Sequence, residues 1–134
     1  MEQLTSLSER KKSADIRLTR NSKIFKTIIN AIQEKKGMNI VSLDLKKINE
    51  SVTDFFVVCE GNSAPQAKAI ADNIIEKVGL QCEESPYKYE GAQSANWILV
   101  DYVNIVVHIM LPETRKFYKL EEMWSDGGMV EHKD

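Results

Sequence analysis

The stretch from Asn96 to Met110 (Asn-Trp-Ile-Leu-Val-Asp-Tyr-Val-Asn-Ile-Val-Val-His-Ile-Met) is the feature that most constrains how this chain folds. It is apolar at most positions, which is typical of strands covered on both faces of a sheet. A tight link at Val103 and Asn104 divides it into two successive strands. The run is interrupted by side chains that favour recognition over catalysis: Trp97, Asp101, Tyr102 and His108.

Strand alternation assigns these side chains to faces of the predicted sheet. Trp97, Leu99 and Asp101 fall on one face, and Ile98, Val100 and Tyr102 fall on the other. In the next strand, His108 falls on the face opposite Val107 and Ile109. Two interpretations of Trp97 stay open: a core residue, or part of an exposed sheet face with neighbours such as Met110.

Length and composition limit the class of protein. At 134 residues the chain suits one domain that buries about two-thirds of its unfolded surface. A net charge of −2 argues against a generic phosphate-binding protein, because nucleic-acid binders usually carry a basic excess. Cys59 and Cys82 cannot form a disulfide framework, and no apolar run approaches the roughly 18 residues of a membrane span. The N-terminus has no secretory pattern, so we expect a reduced, cytoplasmic compartment and no membrane partner.

Two long helices are predicted from apolar residues at helical spacing. The first begins at Asn21 or Ser22 and ends before Gly37. The second begins at residues 63–66 (Ser-Ala-Pro-Gln), where serine followed three residues later by glutamine forms a capping box. Gly79 is its expected stop.

The remaining elements complete an α/β fold. Strands are predicted at Met38–Leu45 and Asp54–Cys59, with a short edge strand at Tyr87–Glu90, before the two strands already described. A third helix begins at Pro112, and we expect its inner side to carry Phe117, Leu120 and Trp124. The order predicts a mixed sheet of about five strands with helices on its faces. Residues 1–20 are expected to be a flexible polar extension, residues 21–126 the domain, and residues 127–134 a C-terminal tail.

The sequence gives little support for a catalytic site or a metal site. No histidine or cysteine pair has metal-ligand spacing, so we expect no metal and no cofactor. Cys59 and His108 as nucleophile and base on adjacent strands are a minor alternative. The Gly61-Asn62-Ser63 turn before a helix could hold an anion, but capping explains the same residues. Nucleotidyltransferases need two alternating acidic residues on one strand, whereas Asp44 and Asp101 each stand alone.

Several motifs in order make the chain resemble the Iojap family, the ribosomal silencing factors. The resemblance spans about Ile24 to Trp124 and depends on their joint order. The motifs are Leu43-Asp44-Leu45, Thr53-Asp54-Phe55-Phe56-Val57-Val58-Cys59, Gly61-Asn62-Ser63, Glu90-Gly91, Asn96-Trp97-Ile98-Leu99-Val100-Asp101-Tyr102, Val106-Val107-His108-Ile109-Met110 and Arg115-Lys116-Phe117-Tyr118-Lys119-Leu120-Glu121.

The resemblance implies a domain similar to nucleotidyltransferases but without their catalytic residues, and therefore not an enzyme. It implies binding to the fourteenth protein of the large ribosomal subunit, on the surface that faces the small subunit. Bound there, such proteins block subunit joining and lower translation when nutrients are short, while organellar relatives act in large-subunit assembly. The partner-binding region implied for this chain comprises Trp97, Asp101, Tyr102, His108, Met110, Glu113 and Arg115.

Three further expectations accompany this assignment. The alternatives to silencing are an assembly factor and a noncanonical nucleotide-binding enzyme that uses Gly61-Asn62-Ser63. A minor ribosomal RNA contact would fall on the basic cluster of residues 10–12, and a homodimer on the edge strand Tyr87–Glu90. The family usually has Gly-Asp where Val103-Asn104 stands, so we expect the turn to shift by one position toward Asn104, which tolerates positive φ better than most residues.

Overall fold

The computed structural model describes residues 18–48, 53–123 and 128–134, which form a mixed sheet with helices on its faces. The elements in chain order are α1 (Lys23–Glu34), β1 (Met38–Asp44), β2 (Phe55–Glu60), α2 (Ala64–Cys82), β3 (Lys88–Glu90), β4 (Trp97–Asp101), β5 (Ile105–Met110), α3 (Pro112–Tyr118), α4 (Leu120–Met123) and β6 (Gly128–His132). The strand order is β3-β4-β5-β2-β1-β6. β2 and β5 run parallel, and the other neighbouring strands are antiparallel.

Helix α1 confirms the predicted apolar stripe. Ile24, Phe25, Ile28 and Ile32 are buried, because their spacing places them on the side of the helix that faces the sheet. Burying one such side chain stabilises the fold by roughly 1.5–3 kcal/mol. The helix ends at Glu34, before Gly37 as expected, and the Gly37 N–H donates to the Ile32 carbonyl over 3.0 Å.

Helix α2 begins at the predicted capping box. The Gln66 N–H donates to Ser63 Oγ over 3.2 Å, and Gln66 Oε1 accepts the Asn62 N–H over 2.7 Å. The predicted stop at Gly79 is wrong, because α2 continues to Cys82 and ends where Glu83 takes a φ of 56°. Gly79 is exposed, and a glycine inside a helix costs only about 1 kcal/mol, which the packing of α2 overcomes.

The centre of the sheet is as predicted. β2 lies between β1 and β5, and β4 pairs with β5 across the link at Val103 and Asn104. Helices α1 and α2 pack on one face, where their isoleucines meet Ile98, Val100 and Ile105. We call this the covered face.

The described residues form a sheet of six strands, where about five are predicted from the sequence. The additional strand is β6, formed by residues that the sequence assigned to a C-terminal tail, and it pairs antiparallel with β1. A half-apolar segment of five residues gives too weak a periodic signal to be recognised as a strand. Long-range bonds hold it: Arg20 Nη2 donates to the Gly128 carbonyl over 2.7 Å, and His132 Nε2 lies 2.8 Å from Ser42 Oγ.

The last helical region differs from prediction in one respect. Leu120 is buried as expected, but Phe117 is 78% exposed and does not point inward. Trp124 lies outside the described residues, as do residues 1–17. Within the described ranges, no helix is both long and apolar enough to cross a membrane. The likeness to nucleotidyltransferases stays a prediction.

Candidate functional site

The face of the sheet opposite α1 and α2 carries a chain of ring contacts. His108 lies 4.7 Å from Phe56 and 5.9 Å from Trp97, measured between ring centroids. Trp97 lies 4.8 Å from Tyr118, which lies 5.0 Å from Phe117. We call these five residues the aromatic face. They come from β2, β4, β5 and α3, so the fold assembles them from four separate segments.

Trp97 and His108 are joined by a hydrogen bond. Trp97 Nε1 donates to His108 Nδ1 over 3.0 Å, so a neutral imidazole carries its proton on Nε2. Burial lowers the pKa of His108 from 6.5 to about 4, although the Asp101 carboxylate opposes that change. The imidazole is therefore neutral at pH 7 and accepts the indole proton. Nε2 is buried and has no hydrogen-bond partner in the described part of the chain.

Helix α3 is fastened to the end of the sheet by Arg115. Its Nη1 donates to Glu60 Oε2 over 3.2 Å and to the Asn39 carbonyl. The ion pair is largely buried, with the side chains 11% and 13% exposed. This attachment fixes the helix whose last turn carries Phe117 and Tyr118. Arg115 thus supports the aromatic face, and most of its side chain is turned away from solvent.

Asp101 shapes the turn between β4 and β5. Its Oδ1 accepts the Val103 N–H over 2.7 Å, and the Asn104 N–H donates to the Tyr102 carbonyl over 2.9 Å. Val103 takes a φ of 73°, so the expected shift of the turn to Asn104 does not occur. Asn104 is held in place because its carbonyl accepts the N–H groups of Asp54 and Phe55 over 3.0 and 3.1 Å. A β-branched residue at positive φ is strained, at a cost of about 1–3 kcal/mol.

The other predicted site residues are not all brought together. Tyr102 is buried on the covered face, away from Trp97. Burial, followed by the Glu84 carboxylate, raises the pKa of its hydroxyl. Met110 pairs with Trp97 across the two strands but is completely buried. Of the seven predicted residues, only Glu113, in the first turn of α3, is exposed, while Trp97 is half-buried.

Gly91 determines how closely the chain approaches Trp97. It has a φ of 84°, and a Cβ added there would lie 2.1 Å from the Trp97 carbonyl oxygen. Real Cβ atoms do not approach backbone that closely, so any other residue would displace the start of β4. The glycine of the Glu90-Gly91 motif therefore allows Trp97 to take its position at the start of β4.

The structure does not bring together the residues that a Cys59–His108 nucleophile and base pair or a metal site would need. Cys59 and His108 lie on opposite faces, because Val58 is the register partner of His108 while Cys59 pairs with Ile109. Burial raises the pKa of the Cys59 thiol to about 12, which keeps it protonated. Among the described residues, no three His, Cys, Asp or Glu side chains are grouped as metal ligands.

The turn before α2 has few free donors for an anion. The Gly61 N–H donates to the Met110 carbonyl over 3.1 Å, and the Asn62 N–H donates to the Gln66 side chain. The first turn of the helix is closed by Ser63, whose Oγ and carbonyl accept the N–H groups of Gln66 and Ala67. These backbone groups are already satisfied, so capping explains them without a ligand.

Sequence reasoning missed the exposed rings of the site. Phe117 was expected inside, and Tyr118, which is 48% exposed, was not singled out. Phe56 was assigned to a strand covered on both faces, yet it is half-buried on the aromatic face. The one available signal was the run Arg115-Lys116-Phe117-Tyr118-Lys119, in which two adjacent aromatic residues cannot both face the core of a helix.

Comparison with known proteins gives a consistent result. Residues 19–134 match the family described as "Ribosomal silencing factor during starvation". The ribosomal silencing factor of Halalkalibacterium halodurans is 35% identical over 111 residues, covering 83% of this chain and 93% of that protein. A crystal structure of a Chromobacterium violaceum protein is 35% identical, with a TM-score of 0.72 over 76% of this chain and 83% of that one. The mouse protein named "Mitochondrial assembly of ribosomal large subunit protein 1" is 39% identical over 75 residues, 54% of this chain and 33% of that protein.

Proposed function

This chain belongs to the ribosomal silencing factor family, and from that premise we propose that it binds the large ribosomal subunit through the fourteenth protein of that subunit. Bound there in the cytoplasm, it blocks the approach of the small subunit and represses translation when nutrients are short. The mechanism is occupancy, and no bond is made or broken. The protein is therefore not an enzyme and needs no cofactor.

The aromatic face is the observation that supports this proposal. Phe117 and Tyr118 present apolar rings to solvent at 78% and 48% exposure, beside a half-buried Trp97. Tryptophan and tyrosine are enriched among the residues that dominate protein interfaces. A standard interface buries about 800 Å² on each partner, a tenth of the 7999 Å² surface of this protein.

Steric exclusion explains how a small protein acts on a large assembly. The contact between ribosomal subunits needs its surface free, and a bound domain of 134 residues keeps the two surfaces apart. Tight binding needs only a few centred side chains. Glu113, Lys116 and Lys119 of the same segment are exposed and supply polar groups next to the rings in the sequence.

The test is subunit joining with purified components. Small and large subunits are mixed with increasing amounts of the protein, and joined ribosomes are measured by light scattering and by gradient sedimentation. We expect the yield of joined ribosomes to fall as the protein saturates the large subunit. Equal yields at saturating protein would overturn the silencing proposal.

Large-subunit assembly is the second candidate, favoured by the name of the mouse relative. A deletion strain separates the two roles. Accumulation of immature large subunits during growth supports assembly, whereas normal subunits with a failure to lower translation on starvation support silencing.

Two minor contacts remain predictions. The edge strand β3 is exposed, so a second copy could pair with it in a homodimer, which sedimentation equilibrium of the free protein tests. The basic cluster of residues 10–12 lies outside the described residues, and its ribosomal RNA contact is tested by the salt dependence of binding after its removal.

A further inference from the structure

His108 is too enclosed to touch a partner. It is 4% exposed, and it lies in register between Val58 of β2 and Leu99 of β4. The rings of Phe56 and Trp97 lie against it. A side chain surrounded in this way influences binding through its neighbours.

Trp97 is the neighbour that His108 constrains most directly. The indole has a single donor, Nε1–H, and His108 Nδ1 takes it over 3.0 Å. The ring contacts Tyr118 at 4.8 Å between centroids. One edge of the indole is thereby tied to β5 and the ring is packed against α3, so both side-chain torsions of the tryptophan are fixed before a partner arrives.

Fixing the tryptophan in advance favours binding. Immobilising a mobile side chain on association opposes binding, and a side chain that is already held avoids that cost. The acceptor must be a neutral imidazole, since a protonated ring has no lone pair on Nδ1. The low pKa of His108 maintains that neutral form throughout the physiological range.

We propose that His108 is a positioning residue of the docking surface: its Nδ1 holds the indole of Trp97 in the orientation that the large-subunit protein recognises, and His108 itself makes no contact with that protein. The proposal rests on the function proposed above. The family resemblance places His108 in the partner-binding region, and the proposal gives it an indirect role there.

A double-mutant cycle separates positioning from simple packing. His108→Leu removes the acceptor and keeps an apolar filling, and Trp97→Phe removes the donor and keeps an aromatic ring. Binding of the full chain to isolated large subunits is measured for wild type, both single variants and the double variant. We expect His108→Leu to weaken binding about fivefold in the wild-type background and less than twofold in the Trp97→Phe background. Equal losses in the two backgrounds, or no loss in either, would overturn the proposal.

A conservative variant and a spectroscopic signal give independent readouts. His108→Asn places Oδ1 near the position of Nδ1, so we expect it to recover most of the lost affinity. With Trp124, the second tryptophan of the sequence, replaced by Phe, the fluorescence anisotropy of Trp97 in the free protein reports its mobility. We expect lower anisotropy for His108→Leu than for wild type and His108→Asn. Unchanged anisotropy in all three would contradict the positioning role.

The outcomes distinguish this inference from the function on which it rests. Wild-type protein that fails to bind isolated large subunits overturns both. Wild-type protein that binds, with uncoupled His108 and Trp97 effects, overturns the positioning role alone. Circular dichroism identifies any variant that fails to fold, and His108→Phe, which also removes the acceptor, then takes the place of His108→Leu in the cycle.

Discussion

The two faces of the sheet are built by different rules. The covered face is closed by α1 and α2 and is dominated by branched aliphatic side chains at or near complete burial, with Phe25, Phe55 and Tyr102 among them. The aromatic face holds rings, a phenylalanine that is mostly in solvent, and a buried imidazole whose Nε2 has no partner among the described residues. The exposed rings of the aromatic face forgo the stabilisation that burial would give them. The contrast teaches that the first face stabilises the fold and the second is available for recognition.

The largest expected effect sharpens the role of the covered face. Ile74 is completely buried, and its replacement by alanine leaves a cavity, so we expect Ile74→Ala to lower the free energy of unfolding by about 3 kcal/mol. Urea denaturation measures the loss. Binding of the folded variant to large subunits should stay within twofold of wild type. A folded Ile74→Ala variant that no longer binds would break the division between the faces.

A pH dependence of the free energy of unfolding, similar in size, tests His108 of the aromatic face. The pKa of His108 falls from 6.5 in the unfolded chain to about 4 in the folded one, so the folded state binds the proton less well. The stability from this residue is complete above pH 6.5 and is lost as pH falls through about 4. One pKa unit corresponds to about 1.4 kcal/mol, so the loss approaches about 3 kcal/mol.

The matched control for this pH effect is His108→Leu. Its unfolding free energy is measured by urea denaturation from about pH 7 to about pH 4. It should fall less steeply with pH than that of wild type, because the variant lacks the imidazole and both proteins share the remaining titratable groups. Parallel curves for the two proteins would show that burial of the imidazole does not account for the pH dependence.

Trp97→Glu tests the centre of the proposed interface. We expect it to weaken large-subunit binding by about 2 kcal/mol or more, because interface tryptophans often dominate affinity. Since Trp97 is half-buried against Val58, Met110 and Leu120, stability should also fall, by roughly 1–2 kcal/mol. Cosedimentation with isolated large subunits gives the binding, and circular dichroism gives the fold. A folded variant that still pellets with the subunit would remove Trp97 from the site.

The smallest expected effect is a loss of stability on the covered face, at the N-terminus of α2. Ser63 caps α2 through its Oγ, and loss of such a cap costs about 1 kcal/mol. We expect Ser63→Ala to lower the thermal midpoint slightly and to leave binding unchanged. A change in affinity would indicate that the turn before α2 contributes to function, as the nucleotide-binding alternative requires.

Local patterns predicted most of the fold. The stripe of α1, the capping box at Ser63 and the apolar run of β2 each depend on neighbouring residues, so the sequence displays them directly. Alternation also placed Trp97 and Tyr102 correctly on opposite faces. The family resemblance nevertheless grouped them in one region, because nearness in sequence does not distinguish the faces of a strand.

Long-range contacts account for what the sequence missed. The orientation of α3 depends on Arg115 reaching Glu60, 55 positions earlier, and no local period encodes that ion pair. Phe117 consequently faces solvent, although its spacing from Leu120 suggested an inner side. Strand β6 depends on Arg20 in the same way, 108 positions before Gly128.

The most direct measurement compares two exposed apolar residues near the ends of helices. Phe117→Asp alters the aromatic face, and Leu80→Asp alters the last turn of α2, at 78% and 71% exposure in the parent chain. Binding of each variant to isolated large subunits is measured beside wild type. If the aromatic face is the docking surface, Phe117→Asp weakens binding at least tenfold. Leu80→Asp then weakens binding less than twofold. Equal affinities for the two variants, or a larger loss for Leu80→Asp, would contradict it.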